Sequence, residues 1–170
     1  MKTFFAAIII GIALAGATFA QSSKPRIAVL EFTTGPNASG MTYEAKRQLQ
    51  ASIAFEMVKK RDFDVPDVRN TRAATPAGDV SASTAVRIGK QMGVGYVLMG
   101  SVMEYSTTRG QMTIRTQLVE VATGKVKLSG ETTEQSASPM TGNAGHAEMS
   151  VKVAKPLIQK LVASIKAVTL

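Results

Sequence analysis

The chain has 170 residues, no cysteine, a single histidine and a formal net charge of +8. The lack of cysteine excludes disulfides, thiolate metal sites, cysteine nucleophiles and a lipidated cysteine. A single histidine, His146, leaves no histidine pair for a metal ion. A basic chain of this kind can bind nucleic acid, anionic lipid or the acidic polymers of a cell envelope, and charge alone does not choose among them.

The first twenty residues are typical of a secretory signal. Lys2 is followed by the uncharged residues 4–20, and this run ends on the small residue Ala20. We therefore predict a signal peptide over residues 1–20, cleavage after Ala20, and one exported domain over residues 21–170. The uncharged run is at the short end for a membrane span, so we expect no span in the mature chain. Export also argues against a nucleic-acid partner.

The mature chain begins with a strand and a helix. Residues 26–32 predict a strand buried on both faces, and residues 33–40 predict a loop because they combine glycine, proline and asparagine. Thr42 can cap the helix, and the Lys-Lys-Arg of residues 59–61 suits its carboxyl end. We predict that the apolar residues of this helix form the face that packs on the core: Leu49, Ile53, Phe55, Met57 and Val58.

A second strand and a second helix are predicted next. Residues 63–68 predict a short edge strand, because a proline within them cannot donate to a ladder. The polar residues 69–78 predict a loop. Asp79 or Ser81 can cap the helix that follows, and Gly93 can end it.

The remainder predicts a three-stranded antiparallel meander and a final helix. The three strands are assigned to residues 96–105, 111–121 and 126–128. The first is continuously apolar in its first half and alternates in its second half, and the other two alternate apolar and polar residues. Thr123 and Gly124 form the second hairpin turn. A loop over residues 136–145 leads to an amphipathic helix, which Pro156 is expected to kink or split.

The predicted order of elements is β-α-β-α-β-β-β-α, which indicates an α/β (mixed α+β) domain. Alternation at the start predicts parallel neighbouring strands with right-handed crossovers, whereas the meander adds antiparallel strands. We therefore expect a mixed parallel/antiparallel sheet with helices packed on it.

No group of residues predicts catalysis, a cofactor or a metal site. His146 is favoured as a surface or capping residue, and the chain has no Gly-x-Ser-x-Gly elbow for a serine nucleophile. The glycines of residues 89–95 lie between a helix and a strand, the wrong order for a phosphate loop. Asp62, Asp64 and Asp67 lack the spacing and the glycine of a calcium loop. We therefore predict a protein that is not an enzyme and has no cofactor.

The final helix offers one candidate interaction face. Its lysines are expected opposite its apolar side: Lys152, Lys155, Lys160 and Lys166. Such a face suits an acidic partner. The alternative, a solvated face of an amphipathic helix, is favoured.

Several segments together resemble the CsgG family of curli assembly and transport components. They are residues 27–32, 63–65, 85–93, 96–102 and the strand–Thr-Gly–strand segment 118–126. The same domain plan resembles the LpoB-type lipoprotein activators of peptidoglycan synthases and the amino-terminal domain of TolB. The resemblance implies a role in the cell envelope.

The chain departs from these families in three respects. Residues 106–110 and 136–145 stand where the curli pore has long hairpins, and neither can supply two membrane-crossing strands of about 9–11 residues each. Ala17 stands where a lipoprotein carries its modified cysteine. We therefore expect no pore and no lipid anchor. The resemblance to LpoB-type activators also implies a long flexible tether before the domain, and we expect none here because the predicted domain begins directly after the signal.

The main hypothesis is thus a periplasmic, non-catalytic CsgG-like adaptor in envelope assembly or secretion. Its partners would be envelope proteins or a second copy of the chain, and a partner could associate it with the outer membrane. The alternative is an LpoB-like activator of a peptidoglycan synthase, that is, of a penicillin-binding protein. A small-ligand protein or an enzyme is the third reading.

Overall fold

The computed structural model describes residues 24–76, 78 and 80–166. The predicted signal peptide, its cleavage after Ala20 and the candidate cap Asp79 lie outside these residues. The described part contains five strands and four helices. In chain order they are β1 (Ile27–Val29), β2 (Thr33–Asn37), α1 (Tyr43–Lys60), α2 (Val68–Ala74), α3 (Ala82–Met92), β3 (Tyr96–Ser106), β4 (Gln111–Glu120), β5 (Val126–Gln135) and α4 (Gly142–Lys166).

The strands form one mixed sheet, which confirms the predicted fold class. Its order is β1-β3-β4-β5, and β2 pairs with β3 on the same side as β1. β1 and β2 run parallel to β3, with Ile27 opposite Tyr96 and Thr33 opposite Ser101. β3, β4 and β5 form the predicted antiparallel meander. Its second turn lies at Gly124, whose N–H donates to the Glu120 carbonyl over 2.8 Å.

Helices cover the two faces of the sheet unequally. α1 and α4 pack on one face, where Val29, Leu98 and Leu118 meet Leu49 and Leu157 in the larger core. α3 packs on the other face, over a smaller core. Alternate residues of the first strand enter the two cores, because successive side chains of a strand point to opposite faces. The prediction of a strand buried on both faces is confirmed.

The local chemistry of the two main helices follows the sequence. The Thr42 hydroxyl accepts from the Ala45 N–H over 3.2 Å and caps α1. Ser81 caps α3 in the same way. Gly93 ends α3 with φ of 63°, a left-handed conformation that glycine adopts without steric cost. Gln50 of α1 is fully buried, and its amide donates to the Val29 carbonyl over 2.7 Å, which fixes α1 against β1.

Two segments near the first strands differ from the prediction. Residues 33–40 contain β2, because pairing with β3 satisfies a backbone that local composition marks as a loop. Residues 63–68 make only an isolated bridge between Asp64 and Arg26. Asp67, in the predicted strand, instead caps α2, and all but the first residue of α2 lie in the region predicted to be a loop. The predicted elements keep their order, with the second strand reduced to that bridge and with β2 and α2 added.

Two further predictions about the helices are corrected, in whole or in part. Phe55 and Val58 were assigned to the core of α1 but are 64% and 52% exposed. The buried side advances in steps of four residues through Ala45, Leu49 and Ile53, and Phe55 lies about 200° around the helix from Ile53. Pro156 does not split α4, which continues from Gly142 to Lys166. Its neighbours Ala154, Leu157 and Ile158 are buried against the core, and this packing holds the helix together.

No helix within residues 24–76 or 80–166 combines the length and the apolar character that crossing a bilayer requires.

Candidate interaction surface

The outward face of α1 carries large apolar side chains in contact with solvent. Tyr43, Phe55 and Val58 are 53%, 64% and 52% exposed. The ammonium of Lys46 and the guanidinium of Arg47 lie 5.8 and 5.4 Å from the centroid of the Tyr43 ring. These distances are within the range of cation–π attraction, so the first turn of this face already combines aromatic and cationic groups.

A groove of about 340 Å³ lies between the last turns of α1 and the middle of α4. It is lined by Glu56, Lys59, Lys60, Lys155, Ile158 and Gln159. The Glu56 side chain is 10% exposed, and the Lys59 ammonium lies 3.7 Å from its carboxylate. Lys60 and Lys155 are exposed and have no carboxylate partner among the described residues. The groove therefore has excess positive charge.

The structure places the four predicted lysines in different surroundings. Lys155 lines the groove between α1 and α4. Lys152 pairs with Glu148 at 3.3 Å, one turn earlier in the helix. Lys160 donates to the Glu131 carbonyl over 3.1 Å. Lys166 is the last residue of α4, and the structure does not describe its side chain.

Lys160 has a structural contact rather than a free charge. Its ammonium and the Ser164 hydroxyl donate to backbone carbonyls of Glu131 and Lys127, at 3.1 and 3.3 Å. Both carbonyls belong to β5, which forms one edge of the sheet. An uncovered edge can pair with another chain, and covering it with a helix and a lysine opposes that.

The face of the meander that α3 leaves uncovered is polar and internally paired. Arg115 donates to Glu131 over 2.8 and 2.6 Å. Glu104 accepts from Arg109 over 2.5 Å and from Gln111 over 3.0 Å. A shallow cavity of about 260 Å³ beside these groups includes Glu31, Ser101 and Gln117 in its lining. Since these charges neutralise one another, this face has less unpaired charge with which to bind a charged partner than the groove has.

His146 lies in the first turns of α4, which begins at Gly142, within the segment predicted to be a loop. Its Nδ1 is hydrogen-bonded to the Tyr105 hydroxyl, and the two rings stack with their centroids 5.6 Å apart. Burial raises the pKa of the Tyr105 hydroxyl. The Ser150 hydroxyl donates to the His146 carbonyl over 2.8 Å. The pair therefore attaches the start of α4 to β3.

The aspartates considered as metal ligands have structural partners. Asp64 pairs with Arg26 at 3.1 Å. The Asp67 carboxylate caps α2, and hydrogen bonds from Arg69 lower the pKa of this carboxyl. Across the part of the chain that the structure describes, no cluster of three or more histidine, cysteine or acidic residues could hold a metal ion.

Sequence reasoning proposed Lys155 as one of four candidate lysines but did not associate it with the other residues that line the groove. Lys59 and Lys60 were assigned only to the end of α1. The four-residue step through Leu49 and Ile53 would have shown that Phe55 points away from the core. No local pattern could show that α4 brings Lys155 beside the end of α1, because that depends on tertiary packing.

The comparison with protein families decides the relationship of the chain. The model for "Peptidoglycan-synthase activator LpoB" matches residues 37–133, from the end of β2 into β5. The chain belongs to the LpoB family. The CsgG resemblance is therefore wrong, and the hypothesis of a CsgG-like adaptor and its link to curli are withdrawn with it. The segments that suggested CsgG belong to a domain plan that the two families were already seen to share.

Solved structures show the same fold. The LpoB C-terminal domain from Salmonella enterica is 22% identical, with 66% of this chain and 84% of that chain covered and a TM-score of 0.50. The LpoB C-terminal domain from Escherichia coli is 18% identical over the same shares, with a TM-score of 0.53. The PelC dodecamer from Paraburkholderia phytofirmans is 17% identical, with 77% and 86% covered and a TM-score of 0.51. No curated protein sequence matches the chain.

Family membership agrees with the predicted envelope location and with a role that is not catalytic. The absence of a lipid anchor, the signal peptide and the single domain over residues 21–170 stay predictions.

Proposed function

We propose that this LpoB-family chain activates a peptidoglycan synthase by binding to it. The supporting observation is the family match over residues 37–133, which includes α1, α3, β3 and β4 in full. The role needs no cofactor and no chemistry from the chain itself. Its partner is a penicillin-binding protein that polymerises glycan strands, and its place of action is the periplasm.

Activation by binding has a definite energetic requirement. An activator raises the rate only if it binds the active conformation of the enzyme more tightly than the inactive one. A tenfold shift between two conformations needs a difference in binding free energy of about 1.4 kcal/mol. A few well-placed contacts supply that amount, so a rigid domain with an exposed binding surface is sufficient. The net charge of +8 would also speed its encounter with an acidic surface.

A rate assay tests the proposal. The purified chain is titrated into a glycan-polymerisation reaction catalysed by a bifunctional penicillin-binding protein from the organism that encodes the chain. We expect the initial rate to rise and to saturate with increasing concentration. An initial rate that stays constant over the whole titration would contradict the proposal.

A matched control separates binding by the folded domain from the effect of a basic polymer. Leu49 is fully buried, so Leu49→Asp places a charge in the core and prevents folding. The variant keeps nearly the same total charge. It should not activate the synthase, whereas equal activation by this variant would assign the effect to charge alone.

A further inference from the structure

Folding does not explain the outward apolar side chains of α1. Three of the four large apolar side chains that are exposed in the described residues belong to this helix: Tyr43, Phe55 and Val58. The opposite side of α1 already fills the core with Leu49, Ile53 and other side chains. Phe55 and Val58 lie three residues apart near the end of α1 and are neighbours on its surface, whereas Tyr43 lies in the first turn. Neighbouring exposed apolar side chains of this kind are characteristic of an interaction site.

The adjacent groove adds a charge requirement. Phe55 precedes Lys59 by four residues, so the two side chains lie on the same side of α1. Beyond Lys59, Lys60 and Lys155 supply positive charge that no carboxylate of the described chain neutralises. Glu56 faces the same groove, but its carboxylate is largely buried and paired with Lys59. An occupant must therefore bring negative charge.

The shape of the groove favours a protein segment over a lipid surface. It is a concave space of about 340 Å³ between two helices, with Ile158 among its lining residues and only 1% exposed. A space of this size accepts one or two side chains. The surface of a bilayer is flat and cannot enter it, whereas a helix or an extended segment can lie along it.

We propose that the groove between α1 and α4, with Phe55 beside it, binds an acidic segment of the synthase that also carries an apolar side chain. The proposal rests on the proposed function, because it names the surface through which that function would act. Carboxylates of the segment pair with Lys60 and Lys155, and its apolar side chain packs on Phe55. An aromatic contact that is buried on binding can contribute much of the binding free energy, and charge pairs around it add specificity.

Charge reversal tests the electrostatic part. The double variant Lys60→Glu with Lys155→Glu should weaken binding to the synthase by about tenfold or more. The matched control, Lys90→Glu with Lys125→Glu, makes the same change in charge at exposed positions on α3 and in the second hairpin turn. The control should change the dissociation constant by no more than about twofold. Equal weakening by both variants would overturn the assignment of the groove.

Cross-linking tests the location. Because the chain has no cysteine, Gln159→Cys provides a single thiol for a photoreactive label in the groove, and Lys125→Cys provides a distant one. The groove label should join to the synthase, and mass spectrometry should find the linked peptide in an acidic segment. Cross-links from position 125 alone, or to a basic segment, would overturn the proposal.

A synthetic probe separates the failure of this proposal from that of the proposed function. A short helical peptide with glutamate on one side and leucine on the other is added to the isotope-labelled chain and followed by amide NMR. Shifts should concentrate at residues 55–60 and 155–159, and a lysine version of the peptide should cause none. If the synthase fails to bind but the acidic peptide shifts these residues, the groove binds acidic segments, but the proposal that its partner is the synthase is contradicted.

Two other occupants are outcomes of the same experiments. Binding to cardiolipin-containing vesicles that the Lys60→Glu, Lys155→Glu variant abolishes would assign the face to anionic lipid. Self-association in sedimentation that Phe55→Ala abolishes would assign it to a second copy. Either result would overturn the assignment to a synthase segment.

Discussion

Helices α1 and α3 start alike and differ in what they leave exposed. Each begins at a hydroxyl cap, Thr42 or Ser81, and each ends in a left-handed residue. Yet α3 exposes no large apolar side chain in the described residues, whereas α1 exposes three. Packing in the core therefore explains why α3 has apolar residues, but it explains only the buried apolar residues of α1. Binding to a partner, as proposed above, would explain the exposed ones, Tyr43, Phe55 and Val58.

The largest expected effect separates the two sides of α1. Leu49→Ala removes a fully buried side chain and should lower the free energy of unfolding by about 2–5 kcal/mol. Phe55→Ala removes a larger but exposed side chain and should change the same quantity by less than about 0.5 kcal/mol. Urea denaturation measures both. Similar losses for the two variants would show that the outward face also serves the fold.

The second effect tests how tightly α3 packs. A Cβ on Gly89 would lie 2.3 Å from a methyl of Val121 and 2.9 Å from a methyl of Val97. Gly89→Ala should therefore destabilise the protein by about 1–3 kcal/mol, although alanine favours a helix.

The control for that variant lies in β5. No atom is within 4 Å of a Cβ added to Gly130, so Gly130→Ala should leave the unfolding midpoint almost unchanged. A Gly89→Ala variant as stable as the wild type would mean that α3 can move away from the sheet at little cost.

The third effect tests what α1 and α3 share. Thr42→Ala and Ser81→Ala each remove a hydroxyl that accepts a backbone N–H at 3.2 Å. Each should cost about 1 kcal/mol of unfolding free energy, and Thr42→Ser should restore most of the loss at α1. Strongly unequal losses at the two caps would show that the helices differ in local stability as well as in their exposed faces.

The smallest effect depends on pH and lies in the hairpin between β4 and β5. A hydrogen bond from the Thr123 hydroxyl, aided by Lys127, lowers the pKa of Glu120 below its ordinary value of 4.5. The folded state thus favours the carboxylate. The resulting stability is present above the ordinary pKa and is lost as the pH falls through the lowered one.

Unfolding midpoints check this sign. Glu120→Gln should be less stable than the wild type at pH 7, and the difference should shrink as the pH falls below the ordinary pKa of the carboxyl. Thr123→Val should reduce the change in unfolding midpoint between neutral and acidic pH, because it removes the hydrogen bond that is the first cause of the lowered Glu120 pKa. A difference that is constant over this range would contradict the role of the carboxylate.

Much of the fold could be predicted because its causes are local. Continuous apolar residues marked β1, alternation marked the meander, and Thr42 and Gly93 marked helix ends. β2 was missed because it forms through pairing with β3, in spite of residues such as Gly35 and Pro36 that favour turns. Long-range pairing is set by register, which local composition does not encode.

The candidate site was less predictable for the same reason. Lys155 was recognised as part of a basic face, but Lys160 on that helix is used at the edge of β5. Lys59 and Lys60 come close to Lys155 only when α1 and α4 pack together. Likewise, segments from a shared domain plan could not separate CsgG from LpoB, whereas a match over residues 37–133 did.

The most direct test of the account is the rate of glycan polymerisation by the synthase at increasing concentrations of wild-type chain and of Phe55→Ala. The account predicts a saturable rise with the wild type. It also predicts a curve displaced to about tenfold higher concentration for Phe55→Ala, at unchanged free energy of unfolding. A rate unaffected by the wild type would contradict the proposed function. Superimposable curves would contradict the role of the outward face of α1.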